Sequence, residues 1–101
     1  MVVEYIRYRV PDERHDEFEA AWTEAQTVLA EAPECLAYEV AHGVEEPDNY
    51  IVRIEWSSLE DHEQGFRNSA GFAPFFAAVK PFFQQIEEMR HYKLTAIASP
   101  A

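Results

Sequence analysis

Four histidines, two tryptophans, five tyrosines and one cysteine hold most of the chemistry open to this sequence. His62 stands six residues after Trp56 and four before Phe66, so a helical segment there puts His62 and Phe66 on one face. If Phe66 anchors into a core, His62 points toward the space beside Trp56. An apolar wall lowers the pKa of an imidazole and keeps it neutral, leaving a lone pair free to accept a proton near pH 7. Trp56 offers a flat surface on which a planar aromatic molecule can stack. Tyr8 and Tyr38 are expected on the helix-facing sides of strands, where a buried phenol needs a hydrogen-bond partner and could hold a substrate oxygen. His42 alternates with Tyr38 and Val40 and is the second candidate base and lining residue. Phe66 and Phe76 complete the candidate binding set. His91, alternating with Met89 and Lys93, is expected on a sheet face or the surface. His15, in an acidic helix start, is expected in solvent.

Other chemistries find no support in spacing. No two histidines stand at zinc-site separation, and there is no HExxH and no cysteine pair, so no metal site is expected. Gly43, Gly65 and Gly71 form no phosphate-cradling loop, which argues against flavin and nucleotide cofactors. No Ser/His/acid set can be assigned from chain order. Cys35 has no activating neighbour and reads as a small buried residue. Alone, it cannot form an intrachain disulfide, and it suits a reducing cytoplasm. Eight Lys and Arg against 19 Asp and Glu give a net charge of −11, which repels phosphate backbones and anionic lipid heads. Neither nucleic acid nor a membrane is therefore an expected partner. The apolar stretches fall short of the roughly 20 residues of a membrane span. The N-terminus lacks the basic-then-apolar pattern of a secretory signal.

The elements that must position these groups are legible as periodicities. The chain of 101 residues fits one domain, expected over residues 1–101, and its 48% hydrophobic content is enough for a packed core. Residues 2–10 alternate as a strand, with Ile6, Tyr8 and Val10 on one face and Tyr5, Arg7 and Arg9 on the other. Residues 12–32 carry Phe18, Ala21, Trp22, Ala25, Val28, Leu29 and Ala32 as a helical stripe between Pro11 and Pro33. Residues 35–44 and 50–56 alternate again around a polar turn and predict a hairpin. Ser57 and Glu60 stand at capping-box spacing, placing a helix start near Leu59. A break near residue 69 leads to a second helical piece bearing Phe72, Phe75, Phe76 and Val79, which Pro81 ends. Residues 86–97 supply the last strand, with a loose tail beyond.

The order β-α-β-β-α-β is the ferredoxin-like α+β pattern, an antiparallel sheet with helices on one face. Its usual strand order, 4-1-3-2, puts the first and third strands side by side and brings Arg7 and Arg9 near Arg53 and Glu55. The opposite face mixes charge with Tyr5, Ala37 and Ile51, as a face covered by a second subunit would.

Three features together resemble the antibiotic biosynthesis monooxygenase domains of the dimeric α/β-barrel superfamily. They are this element order, the strand Tyr50–Trp56 running into Ser57-Ser58, and Phe66-Arg67-Asn68-Ser69-Ala70-Gly71-Phe72, which is similar to the family's S-x-x-F break. The resemblance implies a homodimer whose two sheets close into a barrel, each subunit keeping a pocket between sheet and helices. Some members oxygenate polycyclic phenols without metal or flavin. Others degrade heme, but where that branch carries its axial histidine this chain has Phe75 and Phe76, and its first-strand asparagine has no counterpart here.

The resulting expectation is a cofactor-independent monooxygenase using O2 on an aromatic or polyketide-like small molecule. His62 (or, second, His42) would be the base, Trp56 the stacking wall, and Tyr8 or Tyr38 the holder of a substrate oxygen. The alternatives are a heme-binding or heme-degrading dimer and a non-catalytic ligand-binding or stress-response barrel.

Overall fold

In a computed structural model that describes residues 1–100, the periodicities become β1 (Val2–Arg9), α1 (His15–Glu31), β2 (Cys35–His42), β3 (Asn49–Trp56), α2 (Phe72–Val79) and β4 (Ile86–Lys93). The strands form one antiparallel sheet in the order β2-β3-β1-β4. This is the α+β, ferredoxin-like arrangement expected from the sequence. Both helices lie against one face of the sheet.

The core follows from two matched periods. On α1, Phe18, Trp22, Ala25 and Leu29 recur at helical spacing and are at most 4% exposed. On β3, Tyr50, Val52, Ile54 and Trp56 recur at period two and are each 1% exposed. Full burial of a large apolar side chain contributes about 1.5–3 kcal/mol, so this single interface supplies much of the driving force. Gly71 lets the chain entering α2 approach α1, because a Cβ there would stand 2.9 Å from Val28 Cγ1.

Several local expectations are corrected. The helix expected from residue 12 opens with a 3-10 turn, Asp12–Arg14, and only then becomes α1. That turn tucks His15 inward, so it is buried rather than solvated, and its Nε2–H donates to the Val10 carbonyl at 2.8 Å. The helix after β3 is capped by Ser58, not Ser57: Ser58 Oγ accepts the Asp61 N–H at 2.9 Å, while Ser57 Oγ donates to the Asp61 carboxylate. It then widens into a π-helical segment, Asp61–Phe66, in which Arg67 N–H reaches back to the His62 carbonyl. Pro81 ends α2, but the chain continues as 3-10 turns through Gln85. The last strand stops at Lys93, four residues short of expectation.

The two ends of the sheet differ. β2 is an edge strand, mostly exposed, with a register shift that leaves Leu36 unpaired and outward. On the helix-free face, Arg7 pairs with Glu87 of β4 at 2.7 Å instead of with the β3 acid expected from strand order. Arg53 bridges Glu39 and Glu55 at 3.5 Å each. Tyr5 and Tyr92 meet edge to face on the same side and remain substantially exposed. No helix is long and apolar enough to cross a membrane among the described residues.

Candidate functional site

Between the sheet and the second helical region lies a cavity of about 540 Å³. Its walls are mainly apolar: Tyr8, Trp56, Phe66, Phe75, Phe76 and Met89 all line it. The aromatic walls come from alternate residues of β1 and β3 and from the α2 stripe, so the same patterning that builds the core also builds the pocket. Phe66 is fully buried and packs on Trp56 at 5.1 Å between ring centroids, the anchor role expected for it.

At one end of this cavity the wall turns polar. Glu4, on the helix-facing side of β1 with Ile6 and Tyr8, is 3% exposed. Sheet register places Ile54 opposite it on β3 and His91 opposite it on β4. Trp56 Nε1–H donates to Glu4 Oε1 at 3.1 Å. His62 stacks on the Trp56 ring, 4.3 Å between centroids and 11° from parallel. Its Nδ1 lies 2.9 Å from His91 Nε2, so one imidazole donates to the other. Glu4 Oε1 stands 3.7 Å from His62 Nε2, and Glu4 Oε2 stands 3.9 Å from His91 Nε2. One donor atom from each of Glu4, His62 and His91 falls within 4.8 Å of the others, which makes these the residues able to hold a metal ion.

Burial sets the charge states here. Loss of water pushes the Glu4 carboxyl above its usual range, opposed by the Trp56 hydrogen bond and by the neighbouring His91 and Arg67. Burial, with Arg67 and His91 nearby, pulls His62 down to about 4. His62 is therefore neutral near pH 7, as the sequence reading required. On its own such an imidazole is a weak proton acceptor, so its contact with His91 matters to any base role. Tyr8 is buried against Phe18 and Trp22, and burial raises its pKa, so it is a neutral donor at the cavity wall.

The structure brings together Tyr8, Trp56, His62, Phe66 and Phe76, all lining the one cavity. It separates Tyr38 and His42 from them. Those two border a different hollow of about 320 Å³ between β2 and α1, with Tyr50 and Glu19. His42 stacks on Tyr50 and its Nε2–H donates to the Pro47 carbonyl at 2.7 Å, which ties the hairpin turn. The reason is which helix covers each strand: α1 packs against β2, whereas the π-helical segment and α2 wall the cavity. Cys35 is partly buried and its thiol is pushed up to about 11 by burial, in keeping with an inert residue.

Glu4, His91, Trp22 and Arg67 were missed from the sequence. Glu4 had a signal: it has the parity of Ile6, Tyr8 and Val10, a carboxylate on the apolar face of a strand. His91 had one too, since its pairing with Glu4 follows once β1 and β4 are set side by side. Trp22 lines the cavity and its buried Nε1 makes no hydrogen bond among the described residues. Arg67, at the exposed rim, is the cation lining the cavity.

The sequence model described as antibiotic biosynthesis monooxygenase matches residues 1–78. The chain belongs to the antibiotic biosynthesis monooxygenase family. A curated relative, the uncharacterized protein YczJ of Bacillus subtilis, is 26% identical over 93 residues, covering 92% of this chain and 98% of its own. A crystal structure from Bordetella bronchiseptica, named for the same family, is 23% identical and superposes with a TM-score of 0.74 over 93% of this chain and 96% of that one. Another, from Chloroflexus aurantiacus, is 19% identical with a TM-score of 0.75, covering 97% and 96%. At these identities the two structures speak for the fold alone.

Family membership raises the question of heme, which some members degrade. The residues here do not fit it. The α2 residues that line the cavity are Phe72, Phe75, Phe76 and Val79, none of them able to ligate iron, and His62 lies flat on Trp56 with Nδ1 engaged by His91.

Proposed function

We propose that the protein is a monooxygenase that oxidises a planar aromatic or polyketide-like small molecule with O2, without an organic cofactor. The observation that carries this reading is the cavity itself: aromatic walls of a size suited to a small ring system, with ionisable groups gathered at one end. A binding-only barrel would not need a buried Glu4 carboxyl there, since burying it costs stability unless it is used.

In this reading the substrate's rings lie along the Phe75 and Phe76 wall, with Trp56 and His62 at the reacting end. Tyr8 O–H is the donor available to a substrate oxygen. His62, relayed to His91, removes a proton from an activated C–H or phenol. The anion passes one electron to O2, and the radical and superoxide combine as a peroxide. The proton returns to that peroxide, and loss of water across the C–O–O–H unit leaves a carbonyl. One O2 is consumed, one oxygen stays in the product and one leaves as water, so the substrate supplies all the electrons. The protein contributes orientation, exclusion of water and handling of one proton.

The helix-free sheet face, with Tyr5, Ile51 and Tyr92 among paired charges, suits a second copy of the chain. In this reading the working unit is a homodimer, and sedimentation at micromolar concentration checks it by giving twice the monomer mass. The activity is tested by oxygen uptake with anthrones, naphthols and quinols, using isotope-labelled O2. Label in one product carbonyl is expected. No uptake above the uncatalysed rate across that panel would overturn the reading.

A further inference from the structure

Glu4, His62 and His91 come from three separate elements and converge: the two imidazoles share one hydrogen bond, and neither reaches the carboxylate. The carboxylate is held by Trp56 Nε1 at 3.1 Å, yet at 3.7 and 3.9 Å it is too far to hydrogen-bond to either imidazole. The two imidazole nitrogens are 2.9 Å apart. Nitrogen and oxygen ligands bind a zinc-sized ion at about 2.0–2.2 Å, which sets neighbouring donors roughly 3.0–3.5 Å apart. One donor atom of each residue lies within 4.8 Å of the other two, so modest side-chain rotations would close all three round such an ion.

From this geometry we infer that Glu4, His62 and His91 form a binding site for a divalent first-row transition-metal ion. The donor set is two imidazoles and one carboxylate, which suits Zn2+, Co2+, Fe2+ or Mn2+ better than Mg2+ or Ca2+. Three protein ligands leave further coordination positions open, and Glu4 and His62 both line the 540 Å³ cavity, so those positions face the space a small molecule would enter. The site is built, not incidental. Strand register fixes Glu4 against His91, Trp56 Nε1 orients the carboxylate, and the Trp56 ring fixes the plane of His62. The ion would also offset the cost of a buried carboxylate that has no cationic partner within hydrogen-bonding distance. Arg67 opposes a cation, but its exposed position at the rim lets water and salt screen it.

The inference has a functional corollary. The ion takes the His62 lone pair that proton transfer needs, so ion and base exclude each other and the loaded protein should be inactive. That corollary, unlike binding itself, rests on the reading of His62 as the base.

The test uses the full chain, stripped with chelator and titrated with Zn2+ by calorimetry and with Co2+ by visible absorption. One ion per chain and a Co2+ ligand-field spectrum are expected. His91→Ala and Glu4→Gln, shown folded by circular dichroism, should each weaken binding by tenfold or more, while His15→Gln should not. Absence of saturable uptake, or uptake indifferent to both Glu4→Gln and His91→Ala, overturns the site. In the oxygen-uptake assay, suppression by Zn2+ supports the corollary. Turnover that rises on loading overturns the corollary and the base role together, and leaves the metal site standing.

Discussion

β3 carries an imidazole stacked on an aromatic ring at each end. At the start, His42 lies on Tyr50, 4.2 Å between centroids and 6° from parallel. At the finish, His62 lies on Trp56 at 4.3 Å and 11°. Each pair has a second histidine close by, His15 at the first and His91 at the second. Residue types and packing are nearly the same, and the difference lies in where the nitrogens go. His15 and His42 each give an N–H to a backbone carbonyl, Val10 and Pro47, and so tie down two chain connections, and the carboxylates beside His15, Asp12 at 3.6 Å and Asp48 at 3.4 Å, are exposed to solvent. His62 and His91 face each other and a buried carboxylate. An imidazole spent on a backbone carbonyl holds structure, whereas one turned toward other titratable groups keeps its chemistry available.

The sharpest break of this comparison is on turnover. His62→Ala should lower oxygen uptake by about 10²–10⁴-fold, the range for loss of a general base. His15→Gln should leave turnover within about twofold while lowering stability, because its carbonyl bond is lost. Equal losses from the two substitutions would erase the distinction.

The next effect is on stability. Trp56→Ala should destabilise by about 3–5 kcal/mol, the cost of removing a buried aromatic, read by chemical denaturation. Trp56→Phe separates the roles of the ring: stacking under His62 is kept and the donor to Glu4 is lost. That change should cost about 1–3 kcal/mol, the range for a buried acceptor left without its partner. A Trp56→Phe variant as stable as the parent would mean the Glu4 contact contributes little.

Why one end was legible in the sequence and the other only in part follows from the physics of each signal. Strand alternation fixed which residues of β1 and β3 face the helices, and helical spacing tied His62 to Phe66. Trp56, His62, Phe66, Phe76 and Tyr8, drawn from those patterns, all line one cavity. Tyr38 and His42 share the inward parity, but parity does not say which helix covers each part of the sheet: α1 lies over their strand, and the cavity opens instead beneath α2 and the π-helical segment. Glu4 and His91 are 87 residues apart and adjacent only through β1–β4 pairing. Spacing along the chain, from which no metal site is expected, carries no information about a pair that only sheet register brings together. The buried position of His15 depended on a 3-10 turn that no periodicity announces.

A smaller effect should appear with pH in chelator-treated protein. His62 is held down to about 4 in the folded chain by burial, against an ordinary value near 6.5. Between those values the unfolded chain binds the extra proton, so His62 makes stability rise with pH there and lowers it as pH falls. The full difference is about 3 kcal/mol at 1.36 kcal/mol per unit. Comparing wild type with His62→Gln across pH 4 to 7 isolates this group, and the variant should lose less stability on acidification. The ring carbon shift of His62, followed by NMR, should stay that of a neutral imidazole down to about pH 5. A midpoint near 6.5 would place His62 with ordinary solvated histidines and remove the contrast between the two ends.

The smallest expected effect has the opposite sign and concerns Glu4. Its folded-state pKa is raised, chiefly by burial. A group raised in this way contributes stability that is full below its unfolded value and is lost as pH climbs through the folded one. Glu4→Gln removes the titration and keeps an oxygen able to accept from Trp56 Nε1, so packing and the hydrogen bond survive. In metal-free protein, the variant should match the parent near pH 4 and become relatively more stable as pH rises. Denaturation midpoints at a series of pH values would read this directly. No equivalent gain is expected at the Tyr50 end, where Glu19 accepts from the Tyr50 hydroxyl at 2.5 Å and the carboxylate lies at the exposed surface. A gain at Glu4 and none at Glu19 would show that only the Trp56 end gives up stability to keep a buried carboxyl beside two histidines. A Glu4→Gln variant less stable than the parent at every pH would mean that Glu4 is a structural residue like His15.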